Sequence, residues 1–148
     1  MVKRDRLPAD IRTRLPRIAE HFRCDQRVVA IYLFGSFAHG NEDALSDIDL
    51  GVLMDPTLPG AERRRLEIDL IGDVTHLLGT EEISFVFLNE APLTFRYEVI
   101  RTGQVLIDND SRTRLDFEVR SEDLYMDFKP ALDAYDDALL QQLTATHS

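Results

Sequence analysis

Apolar positions along the chain switch between a helical period and a strand period. Ile11, Leu15, Ile18 and Phe22 recur at steps of three and four, which predicts a helix from Pro8 to Phe22. Pro16 inside it should bend or divide that helix. The run Arg27 to Phe34 is short, β-branched and aromatic and ends at Gly35, the signature of a buried strand. From Ser46 to Met54 the chain alternates. Asp47, Asp49, Gly51 and Leu53 share one face of a second strand, and Ile48, Leu50, Val52 and Met54 the other. Ala61 to Leu78 reads as a helix buried through Leu66, Leu70, Ile71, Val74, Leu77 and Leu78, with Gly79 as its stop. Glu82 to Leu88 predicts a third strand, with Ile83, Phe85 and Phe87 on one face. Pro92 to Arg101 predicts a helix, and Gln104 to Ile107 a short edge strand. The tail from about 111 to 143 has helical period through Leu124, Phe128, Leu132, Tyr135, Leu139 and Leu143, and Pro130 should kink it. Such a stripe is first of all core, although a long helix can leave part of it free for a partner helix. These elements predict an α/β (α+β) architecture: a small mixed β-sheet with flanking helices and a long C-terminal helix.

Composition narrows the class. The 148 residues fit one domain, 1–148, with a core at about 27–108. A 44% hydrophobic and 30% charged balance is globular. No apolar run reaches the roughly 20 residues of a membrane span, and the N-terminus lacks a signal-type apolar stretch. Cys24 is the only cysteine, which excludes an internal disulfide and is most simply a small buried residue. The expected location is cytoplasmic. A net charge of −10, without a basic stripe, argues against direct nucleic-acid binding. The short run Arg63 to Arg65 reads as a solvated helix start. His21 and His76 sit in helix patterns without ligand spacing, and Tyr97, Tyr125 and Tyr135 are helix positions of core type.

The segment Gly35 to Met54, GSFAHGNEDALSDIDLGVLM, carries the chemistry. Gly35 directly follows a strand, where a glycine permits a sharp turn and close approach of a ligand. Ser36 adds a hydroxyl and a backbone N–H, and a short helix begun at FAHG would turn free N–H groups toward a phosphate. Gly-Ser alone is a common turn. Ten residues later Asp47 and Asp49 lie on one strand face. Two carboxylates so placed repel each other unless a cation lies between them, and Mg²⁺ favours one or two carboxylates plus substrate phosphates.

The pattern G-S-x10-D-I-D-L, Gly35 to Leu50, resembles the signature of nucleotidyltransferases related to DNA polymerase β. The size of the chain, together with Phe85 to Asp108 and the tail, is similar to the minimal nucleotidyltransferase (MNT) family. That resemblance implies a nucleotidyltransferase fold with Gly35 and Ser36 at the triphosphate of ATP and Asp47 and Asp49 holding Mg²⁺ as catalytic carboxylates. It also implies an antitoxin role, in which AMP passes to a tyrosine of a HEPN-domain RNase toxin. Ser84 stands where the family pattern has a third carboxylate, and serine binds Mg²⁺ poorly. Glu82 lies two residues earlier on the same face, its backbone about 7 Å from that position. It either reaches the site or is a solvated strand-start residue. His39 stands where the family commonly has arginine; it is either a cation near phosphate or a surface histidine. The alternative is a weak or inactive enzyme that neutralises its toxin by binding. A small-molecule nucleotidyltransferase is disfavoured because the chain leaves little room for an acceptor pocket.

Overall fold

The computed structural model describes residues 7–35, 38 and 47–146. Its elements in chain order are α1 (Ile11–Arg14), α2 (Pro16–Phe22), β1 (Val28–Phe34), β2 (Ile48–Met54), α3 (Gly60–Leu78), β3 (Ile83–Phe87), α4 (Leu93–Thr102), β4 (Gln104–Asp108) and α5 (Ser111–Thr146). Pro16 divides the first helix as its missing N–H requires: α1 ends at Arg14, and Pro16 becomes the first residue of α2.

The sheet order is β3-β2-β1-β4. β1 pairs antiparallel with β2 and with β4, and β2 pairs parallel with β3, so the sheet is mixed and β4 lies at an edge. The parallel pair needs a crossover, and α3 provides it. Asn89 closes the far end of that pair. Its side-chain oxygen accepts from the Met54 N–H at 2.8 Å, and its amide donates to the Met54 carbonyl at 2.8 Å.

Alternation along the strands sorts the core into two layers. Ile31 and Leu33 of β1 join Ile48, Leu50, Val52 and Met54 of β2 under α1, α2 and α3. Ile83, Phe85 and Phe87 of β3 pack against that layer. The opposite face holds a smaller cluster built on Tyr32, Leu53, Leu88 and Val99, with Phe117 of α5 against it. α4 can come this close because β2 has Gly51 at the contact. A Cβ there would stand 3.0 Å from Val99 Cγ1.

Two expectations fail on burial. In α3 the buried residues are Leu66, Leu70, Val74 and Leu78, a strict i, i+4 row, whereas Ile71 is 41% exposed. The helix meets the sheet along one narrow line, and Ile71 falls outside it. Cys24 is exposed, not buried, and sits in the turn after α2 with φ of 72°.

The C-terminal stripe departs most from a core assignment. α5 runs 36 residues, about 54 Å, and continues through Pro130. Its first half is anchored. Tyr125 stacks on Tyr97 of α4 at 3.7 Å between ring centroids, and the Tyr32 hydroxyl donates to Glu118 Oε1 at 2.7 Å. From Met126 to Ala145 every residue is exposed. Leu124, Phe128, Leu132, Tyr135, Leu139 and Leu143 all belong to the exposed large hydrophobics. Among the described residues no helix is long and apolar enough to cross a membrane.

Candidate active site

The site is assembled where β1 ends and β2 begins. Gly35 follows β1 with φ of 72°, a left-handed conformation that costs glycine little and other residues much. Its missing side chain has a second role. A Cβ at Gly35 would collide with the Asp49 carboxylate, so the turn lies directly against that group. In the sheet Asp49 is opposite Phe34 of β1 on one side and Ser84 of β3 on the other. Asp47, two residues earlier, shares its face.

Both aspartates are partly buried. The Asp49 carboxyl is pushed above the ordinary aspartate range, first by burial and then by the negative charge of Asp47. A divalent cation suits this donor set: two hard oxygen ligands on one face, one of them strained by repulsion that a cation would relieve. When bound, such a cation supplies charge neutralisation to a triphosphate.

The third position is occupied by serine. Ser84 is the direct β3 neighbour of Asp49. Glu82 lies one step beyond the strand, beside Asp47, as the Ile48 N–H donates to the Glu82 carbonyl at 3.1 Å. Among the described residues no three His, Cys, Asp or Glu side chains gather into a metal-holding group. Ser36 and His39 lie outside the described residues.

One supporting residue gives no signal in the sequence. Gln104, at the start of β4, donates from Nε2 to the Ala38 carbonyl at 2.7 Å and so ties the edge strand to the segment after Gly35. Only its place after Gly103 at a strand start hints at it, and that is no functional pattern.

Residues 17–112 match the family model described as polymerase beta, nucleotidyltransferase. No curated protein sequence matches the chain. Among solved structures, a toxin–antitoxin complex with AMP-PNP is similar at 24% identity, covering 86% of this chain and 97% of that one, with a TM-score of 0.65. A tri-AMPylated Shewanella oneidensis HEPN toxin in complex with an MNT antitoxin is similar at 22% identity, covering 88% and 98%, with a TM-score of 0.63. A MntA–HepT toxin–antitoxin structure matches at 22% identity, covering 87% and 98%, with a TM-score of 0.63. These likenesses establish the fold that the MNT resemblance implied. With the family model spanning well over half the sequence, the chain belongs to the polymerase beta nucleotidyltransferase family.

Proposed function

We propose that this protein is an antitoxin-type protein adenylyltransferase that moves AMP from Mg·ATP to a tyrosine hydroxyl of a HEPN-domain RNase toxin. The observation that carries the reading is the contact of the Gly35 turn with the Asp49 carboxylate, with Asp47 beside it. That contact joins a phosphate-type turn and a two-carboxylate cation site into one unit. In the reaction the tyrosine oxygen bonds to the α-phosphorus and releases its proton to solvent. The bond from the α-phosphorus to the bridging oxygen breaks, and pyrophosphate leaves with its electrons. Gly35 and Ser36 border the triphosphate, Asp47 and Asp49 hold the cation, and Glu82, one step before β3, is the carboxylate nearest them in register. The structures of similar fold include one with AMP-PNP and one with a tri-AMPylated HEPN toxin, which supports this choice of nucleotide and acceptor.

The partner surface in this reading is the free half of α5. Its apolar stripe is flanked by Asp127, Asp133, Asp136 and Asp137 against the single base Lys129. Two copies of that face would set acid against acid, whereas a toxin surface bearing basic residues complements it.

A second reading rests on Ser84. With no carboxylate opposite Asp49, the protein acts by binding alone, through α5. Intact mass spectrometry separates the two. The HEPN partner incubated with this protein, Mg²⁺ and ATP should gain one or more AMP units, and the Asp47→Ala variant should give none. No gain in a complex that still forms and silences the toxin establishes the second reading instead.

A further inference from the structure

A cavity of about 500 Å³ opens on the α4–α5 face, at the end of the sheet away from the aspartates. Its walls come from the β2 end at Leu53, the turn after β3, α4 and the anchored half of α5. The volume lies in the range of small-molecule pockets. Leu53 is four residues from Asp49, about 13 Å along the strand. The packing of Val99 and Leu88 over Gly51 stands between the two places.

Its polar lining combines two arginines with a buried hydroxyl. Arg96 and Arg120 line the cavity; among the described residues neither guanidinium has a hydrogen bond or ion pair, and Arg96 Nε is buried without a partner. Two guanidinium groups thus line one cavity in a chain with 27 acidic side chains and a net charge of −10. Beside them Ser121 is 1% exposed, and its Oγ is buried without a partner among the described residues. A hydroxyl so placed carries the cost of an unmade hydrogen bond. The other amide in the wall, Asn89, is already committed to the Met54 backbone.

We propose that this cavity binds a small organic anion, an oxyanion head on an apolar body, at a site separate from the nucleotide site. Arg96 and Arg120 meet the head, and a guanidinium pair suits either carboxylate or phosphate. Asp116 on the rim offsets one of the two charges, which favours a head of low charge over a polyphosphate. Phe117 and Leu124 supply the apolar wall for the body. The inference does not depend on the proposed transfer reaction.

Calorimetric titration of the full chain in EDTA tests it, with phenylacetate, phenyl phosphate and inorganic phosphate as probes. At least one aryl anion should saturate a single site per chain and bind more tightly than inorganic phosphate. The tighter of the two identifies the head as carboxylate or phosphate. Arg96→Gln and Arg120→Gln should each weaken it about tenfold, or about 1.4 kcal/mol. Asp47→Ala should leave it unchanged, and amide NMR shifts on binding should centre on Phe117 and Ser121 rather than Asp49. No saturation by either aryl anion, affinity retained in the Arg96→Gln/Arg120→Gln double variant, or affinity lost in Asp47→Ala would each overturn it.

Discussion

The two faces of the sheet are built to different rules. Under α1, α2 and α3 the layer from Ile18 to Leu78 is apolar throughout, and its contacts depend only on shape. Over the other face α4 and α5 cover a smaller apolar patch, and polar groups occupy the remainder. Asp47, Asp49 and Ser84 sit at one end and Arg96 and Ser121 at the other. Between them Tyr32 is joined to Glu118, which with Asp108 holds Arg114 at 2.9 and 3.0 Å. Burial and the Glu118 carboxylate push the Tyr32 phenol well above its ordinary range, so it stays a neutral donor. One face is therefore packed by apolar contacts alone, and the other accommodates partly buried polar groups.

The sharpest way to break this division is to cross it. On the polar face Asp47→Ala or Asp49→Ala should reduce AMP transfer by about 10²–10³-fold or more while the fold survives, read by intact mass and circular dichroism. On the apolar face Leu70→Ala should destabilise by about 2–5 kcal/mol in denaturant unfolding, with no specific effect on transfer beyond lost folded protein. Ser84→Asp should raise transfer by supplying the absent carboxylate opposite Asp49. No gain, with Glu82→Gln inactive, would mean that Glu82 already fills the role.

Asp49→Asn gives a subtler contrast, with a sign opposite to that of a core mutation. The folded carboxyl titrates higher than the unfolded one, so its contribution to stability is intact below the unfolded pKa and is lost as pH rises through the folded value. The variant should therefore melt higher than the parent at neutral pH in EDTA. That gain should vanish below the ordinary aspartate range and shrink when Mg²⁺ is added. Smallest of all, Leu139→Ala on the free half of α5 should change stability by less than about 0.5 kcal/mol, yet weaken partner binding measured by calorimetry.

Period made the strands legible: alternation in β2 separates Asp47 and Asp49 from Ile48 and Leu50, and the structure keeps that separation. Spacing made the pairing of turn and carboxylates legible too, because a glycine before a loop and two acids at i, i+2 have few joint uses. Burial was not legible where one pattern serves two ends. The stripe from Leu124 to Leu143 has the same period whether it meets a sheet or a partner, and only the size of the sheet decides. Ile71 was misjudged because a helix on a narrow ridge buries one row, not two. Cys24 is small and apolar, but its positive φ belongs to a turn, which hydrophobicity does not report. Gln104 acts through a contact 66 positions away in sequence, beyond any local pattern.

The length of α5 also bears on the lifetime of the free protein. Past Tyr125 every residue to Ala145 is exposed, and Pro130 removes one of the helix's own hydrogen bonds. In proteins most helical stability comes from tertiary packing of an amphipathic face, and exposed residues lack it. Among the described elements this segment is therefore the first to open, and proteases should cut it before the sheet. A bound partner would order and cover it, so the unpartnered chain would be the one cleared first.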